Sequence, residues 1–367
     1  MAAMALAVLP AAATADGAVT HVDPPSTRDA FSYNLMAKSA GGPSIPDKWC
    51  GDVGVIDDLE HEFRPADGPK IKAAIVYDLE QPFQQKHADL AQNHARLIFE
   101  HLRAESGGRK SLRFDLGTSC GPGHLDLAVI RAAPAGPGST CPNTEEYKTA
   151  MNPRKRPFNL LTISFVTGCT GGGGFGETGI DDQPGPENEA NTPGRLAMNL
   201  GNPDPYVSLH EIAHTLGAVQ PTALHTDGYF HCWDLADVMC YPYTSQAPQS
   251  PVRPCAFADG LDPFDCNKDD YFNPDPAPGS YLDTHWNLFN SVFMCPVDEC
   301  VPAPVVAAPV APPAPTPVAA PAAKPSPAPK RAAAKPAAKR RVSKRCRTAR
   351  TKAARRRYKC PPLKRRR

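Results

Sequence analysis

The residues best equipped for chemistry are His210, Glu211 and His214, inside the stretch DPYVSLHEIAHTLG that runs from Asp204 to Gly217. Histidines four apart on a helix stand one turn above each other, so both rings can reach one metal ion. The glutamate beside them can then take a proton from water. The local sequence supplies the helix. Asp204 is a good N-cap and Pro205 suits the first helical position, where its missing N–H costs nothing. Tyr206, Val207, Leu209, Ile212, Ala213 and Leu216 give an apolar face, and Gly217 can adopt the left-handed conformation that stops the helix. The five residues HExxH alone are a weak signal, because any polar helix face can produce them; the residues after His214 add weight.

A catalytic zinc site needs a third protein ligand and one open position. The pattern extends to HExxHxxG at Gly217, after which Gln220, His225 and His231 are the nearby candidates. An amide oxygen is a poor zinc ligand, which disfavours Gln220. His225 and His231 lie fourteen and eight residues before Met239. Cys232 and Cys240 flank the segment, and a disulfide between them would pin His231 next to Met239. His231 is therefore the preferred third ligand, and His225 the alternative.

HExxHxxG followed by a methionine in a short turn resembles the metzincin metallopeptidases. The two strings HExxHxxGAVQ and HCxDxxDVMCY, here from His210 and from His231, are similar to those of metzincin-like secreted proteins. In metzincins a histidine follows the glycine by three residues, where this chain has Gln220. The distance from His231 to Met239 resembles the matrixin branch, with an insertion after Gly217 like that of the leishmanolysin branch. The resemblance implies Zn2+ held by His210, His214 and His231, Met239 packed beneath the metal, and Glu211 as general base in peptide hydrolysis. Tyr241 matches the Met-x-Tyr of astacins and serralysins, which implies help in stabilising an oxyanion; the residue-level alternative is a core tyrosine.

The elements needed to position such a site can be read around it. Ile71 to Leu79 has the composition of a buried strand, and after Pro82 a long amphipathic helix presents Leu90, Ala91, Ala95, Ile98 and Leu102 on one face. Ser111–Leu116, Leu125–Arg131, Asn159–Val166 and Gly194–Leu200 read as further strands, and Ser280–Phe293 as a closing helix capped by Ser280. The expected class is α+β: a metzincin-like (zincin) domain with a mixed sheet, a long backing helix, the active-site helix and a Met-turn. Between Cys169 and Pro193 the chain reads as a glycine-rich, acidic loop. Asp181, Asp182, Glu187 and Asn188 there, and Asp265, Asn267, Asp269 and Asp270 further on, offer the oxygen ligands that Ca2+ would want, although neither spacing is that of an EF-hand.

Charge divides the 367-residue chain in two. Residues 301–367 hold 20 of the 40 Lys and Arg and none of the 38 Asp and Glu, so residues 1–300 are near −18 and the remainder +20. The expected organisation is a signal-peptide-like segment (1–15), an N-terminal extension or pro-segment (16–49), a catalytic domain (50–300), a Pro/Ala linker (301–329) and a disordered Lys/Arg-rich tail (330–367). The twelve cysteines, several closely spaced, predict disulfides and an oxidising compartment. Cys232–Cys240, Cys255–Cys266, Cys295–Cys300 and Cys346–Cys360 are plausible local bridges, with three connectivities open for Cys50, Cys120, Cys141 and Cys169. A structural bond at Cys50 is preferred to a thiol capping the metal. No run is apolar enough for a membrane span.

The sequence thus reads as a secreted zinc-dependent endopeptidase acting on a peptide or protein substrate. Its tail would hold it to a polyanionic surface such as cell-wall polymer, acidic lipid or DNA. The alternative from another class is a catalytically silent scaffold of the same shape that binds polyanions, favoured by Gln220 and opposed by the intact Glu211. A zinc amidase acting on cell-wall peptides would use the same chemistry on another substrate.

Overall fold

The computed structural model describes residues 18–22, 43–51, 68–78, 81–118, 121–132, 156–166, 173–201, 204–233, 237–240 and 263–301. The signal-like run, Tyr241, the linker and the basic tail lie outside the described residues. The chain divides into two units, Met1–Val306 and Ala307–Arg367, and every described residue belongs to the first.

The core is built on β3 (Ile71–Asp78), whose eight residues are all buried. Such a continuous apolar run is what a strand covered on both faces requires. It lies between β6 (Gly121–Ala132) and β7 (Asn159–Ser164), parallel to both, and β9 (Leu196–Asn199) continues the parallel order beyond β7. β8 (Gly174–Gly179) is antiparallel to β9, and β1 (Ala18–Val22) is antiparallel to β8 at the edge. At the other side β2 (Trp49–Cys50) runs parallel to β6, and β5 (Leu116–Thr118) pairs with β6 antiparallel. The sheet is mixed, as expected, but mostly parallel, with strands and helices interleaved as in an α/β arrangement.

Period-two alternation splits the strand residues between two clusters. Ile71, Ala73, Ile75 and Tyr77 face α1 (Gln85–Glu105) and α2 (Pro205–Thr215), meeting Ala95, Ile98, Leu102, Leu209 and Ile212. Ala74 and Val76 face the other way, towards Ile130, Leu160, Phe175 and Met198. Lys72 within β3 is completely buried but paired with Asp126 at 2.7 Å and Asp115 at 3.2 Å. The two helices are joined by polar groups as well: His94 Nδ1 on α1 lies 2.9 Å from Ser208 Oγ on α2, and Asn199 on β9 donates to the same hydroxyl at 3.0 Å.

Some expectations need correction. The backing helix is present, but Leu90 is only half-buried, and Ala88 and Phe99 complete the inner face. Ser111–Leu116 is not one strand. β4 (Lys110–Leu112) pairs with β10 (Met294–Pro296), and the chain breaks before β5. The expected closing helix over Ser280–Phe293 is helical only at Tyr281–Thr284, with a single 3-10 turn at Leu288–Asn290. Side chain and backbone compete for that helix: the Asn287 side chain accepts from the Phe289 amide, and the Trp286 amide donates to the Asp182 carbonyl. Leu282, Trp286 and Phe293 are nonetheless buried.

One core residue carries a pH liability. His101 on α1 sits edge-on to Phe264 with Nε2 unpartnered among the described residues, and burial lowers its pKa to about 4. The folded state therefore holds it neutral, while the unfolded chain protonates it near pH 6.5, so stability present above that pH is lost as pH falls towards 4. Linkage puts its share of the loss between pH 7 and pH 5 at about 2 kcal/mol. Urea unfolding of His101→Met should show a fall smaller by that amount; equal falls in the two proteins would remove His101 as the cause.

Candidate metal centre

α2 forms where the sequence requires it. Asp204 accepts a hydrogen bond from the Tyr206 amide at 2.9 Å, Pro205 opens the first turn, and Gly217 leaves the helix at φ +78°. His210, Glu211 and His214 are all buried on it. The chain then loops away through Gln220 and returns at His231. The Nε2 atoms of His210, His214 and His231 lie 3.1 to 3.2 Å from one another.

That triangle suits a metal better than it suits hydrogen bonding. The Nδ1 of His210 is 2.8 Å from the Val238 carbonyl, which can only accept, so the hydrogen is on Nδ1 and the lone pair on Nε2. An N–H on any one ring can satisfy only one of the three contacts. A tetrahedral ion with about 2.0–2.1 Å bonds to nitrogen sets its ligand atoms about 3.3–3.4 Å apart and leaves a fourth position open. Three neutral imidazoles on one side of an ion are thus compatible with the observed separations.

His231 is held from two directions. The Asp227 carboxylate accepts from the amides of Tyr229 at 2.7 Å and His231 at 3.1 Å, closing a tight turn in which Phe230 is left-handed, at φ +71°. On the other side Cys232 is disulfide-bonded to Cys240, and its amide donates to the Met239 carbonyl. Met239 is fully buried. Asp237 folds this methionine turn by accepting from the Met239 amide at 2.8 Å and the Cys266 amide at 3.1 Å, with Tyr271 Oη on the same carboxylate. Tyr206 on α2 donates to the Val238 carbonyl at 2.7 Å. Burial, and then Asp265 nearby, push the Asp237 carboxyl well above the usual range.

The other candidates are placed elsewhere. His225 is outside the triangle: its Nδ1 is 2.9 Å from Asp270 and its ring meets Trp233 edge-on. Gln220 is buried and donates to the carbonyls of Gly179 and Gly217, tying the end of β8 to the end of α2. Cys50 is disulfide-bonded and so offers no thiol to cap a metal. Cys295–Cys300 is also formed, and Cys266 is disulfide-bonded, while Cys120, Cys141, Cys169, Cys255, Cys346 and Cys360 lie outside the described residues.

Of the two acidic loops, the first does not converge on a point. Asp181 accepts from the amides of Gln183 and Glu189, Asp182 from Thr222, and the Asn188 side chain donates to the carbonyls of Asp181 and Gln183. In the second, Asp265 and Asp270 come together with Asp237, and Asp269 and Asp270 with His225, close enough to hold a cation in either group. Asp265 spends its oxygens on the amides of Tyr271, Phe272 and Asp269, and Asp270 accepts from the His225 amide.

β8 corrects the expectation of a loop between Cys169 and Pro193. Its glycines are what allow it to lie on α2. A Cβ on Gly174 would come within 1.9 Å of Glu211 Oε1, and one on Gly176 within 2.5 Å of the His214 Cβ and 2.7 Å of the Glu211 carbonyl oxygen. Alternate glycines in a run with no other strand signal are the clue the sequence offers.

No family model matches the chain, and no curated protein matches it either.

Zinc content should separate the histidines: about one ion per chain in the wild type and in His225→Ala, and none in His231→Ala, by elemental analysis of the oxidised protein. Gly176→Ala should destabilise the fold by about 1–3 kcal/mol through overpacking against α2. Gly123→Ala, where a Cβ meets nothing within 4 Å, should not. Urea midpoints of the two variants make the comparison.

Proposed function

We propose that the chain is a secreted zinc-dependent endopeptidase of the metzincin type, and the observation that carries this is the buried triangle of His210, His214 and His231 next to the carboxylate of Glu211. Three support points stand beside it. The order of strand, long helix, further strands and metal-site helix is that expected for such a domain. A buried methionine follows the third histidine in a turn closed by a disulfide. Gln220, the residue that favoured a silent scaffold, has a structural task of its own, while His231 joins the two helical histidines.

When bound, zinc supplies Lewis acidity, which makes water acidic near neutral pH and polarises a carbonyl. The rest falls to the chain. His210, His214 and His231 bind through Nε2, with His210 fixed in its tautomer by the Val238 carbonyl. The Glu211 carboxylate, buried against the bare backbone of Gly174, takes the proton from the attacking water and passes it to the leaving amine. Tyr241 remains the proposed oxyanion partner by resemblance alone. Packing of β8 and α2 excludes bulk water from the carboxylate, which strengthens its interaction with a developing positive charge.

An oxidising compartment fits the bonded state of the described cysteines. Among the described residues no helix is long and apolar enough to cross a membrane. Retention at a polyanionic surface through residues 330–367 is proposed from their charge. If Ca2+ binds as well, either acidic group near Asp270 would be its place.

Glu211→Ala should keep its zinc and lose about 10²–10⁴-fold in the hydrolysis rate of a fluorescein-labelled casein, the range expected when a general base is removed. Zinc-loaded wild type that hydrolyses no faster than this variant would sink the enzyme reading.

A further inference from the structure

A second group of ligand atoms stands on the loop that delivers His231. Two carboxylates of the 265–271 segment face His225: Asp270 Oδ2 lies 2.9 Å from its Nδ1, and Asp269 Oδ1 lies 3.7 Å from the same nitrogen. One N–H cannot serve both oxygens. Asp270 has the shorter contact, and Asp269 Oδ1 is left buried with no hydrogen-bond partner among the described residues. Asp270 also accepts from the His225 amide at 2.9 Å, which fixes this buried carboxylate against the loop. Burial raises both carboxyls above the usual range, and for Asp269 the charge of Asp270 adds to it. A divalent cation between the three atoms would satisfy the stranded oxygen and relieve that repulsion.

We infer that His225, Asp269 and Asp270 form a second, weaker site for a divalent transition-metal ion such as Zn2+, which ties the loop carrying His231 to the 265–271 segment. With bonds of about 2.1 Å, separations of 2.9 and 3.7 Å correspond to angles at the ion of about 90° and about 125°. Both are open to Zn2+, whose d-electrons impose no geometry. The imidazole selects the class of ion. Nitrogen suits Zn2+ and its first-row neighbours, whereas Ca2+ wants about six to eight oxygens and this group offers two carboxylates. The side chains of His225 and Asp269 are 24 % and 33 % exposed, so water can complete the shell and the ion can enter from solvent. That exposure, with one imidazole in place of three, makes the site weaker than the buried three-histidine centre. Dialysis would empty it, and the single zinc expected of the purified chain is unaffected. Metal binding here is independent of any hydrolysis by the chain.

Trp233 reports on the site. Its ring meets that of His225 edge-on with centroids 5.0 Å apart, and its amide donates to the His225 carbonyl. An ion with a partly filled d shell on His225 therefore quenches its fluorescence. The zinc-loaded, disulfide-intact full chain is titrated with Co2+. Wild type should show saturable quenching that Trp233→Phe lacks, with the first zinc retained. Asp269→Asn should raise the Co2+ midpoint at least tenfold, and His225→Gln should do the same; urea midpoints without added metal check that both variants fold. Added Zn2+ should raise the urea midpoint of zinc-loaded wild type and leave that of Asp269→Asn where it was. Ca2+ at the same concentration as Co2+ should not reverse the quenching. Equal Co2+ midpoints in wild type and the two folded variants, no quenching of Trp233, or reversal by Ca2+ overturns the inference.

Discussion

Three imidazole nitrogens within 3.2 Å of one another, buried and facing inwards, are an arrangement that protein hydrogen bonds alone cannot satisfy, so forces outside the rings must hold it. The helix does this for two of them at no cost, through its period. The third arrives on a loop, and most of the special features of residues 217–240 serve that arrival. Asp227 closes the turn before His231, the Cys232–Cys240 bridge closes the turn after it, and Asp237 folds the methionine turn whose Val238 carbonyl holds His210. The left-handed Phe230 is backbone strain accepted to aim one side chain.

The same constraint reaches the sheet. A strand can lie on the face of α2 that carries Glu211 and His214 only if it presents no side chains there, and β8 meets this by alternating glycine towards the helix. Phe175 and Glu177, which alternate with these glycines, face away, where Phe175 joins the second cluster and Glu177 accepts from the Leu196 amide. Glycine weakens a strand, so β8 depends on neighbours on both sides for its ladder, β9 and β1.

Buried acids form the lower support of the site. Asp237, Asp265 and Asp270 approach one another with their oxygens largely taken by backbone amides, and burial raises each carboxyl above its usual range. Their cost is offset by the geometry they impose on the methionine turn and on the loop carrying His225. A cluster of carboxylates can thus be architecture even where its spacing would admit a cation.

The sequence by itself determined what depends on local periodicity and chemistry. The helix from Asp204, its cap and its stop, the pair of histidines with Glu211, the buried strand at Ile71 and the long backing helix could all be read, because each is specified by residues within a few turns of one another. The choice of His231 over His225 followed from a short disulfide loop, which is nearly as local. Only the tertiary structure decided that Gly174–Gly179 is a strand, that residues 18–22 pair with it, and that Asp227 and Asp237 position the site. Glycine carries no strand propensity, and an edge strand takes its hydrogen bonds from a partner more than 150 residues away in sequence. Such pairings are selected by the surface they meet, which does not exist until the rest of the chain has folded.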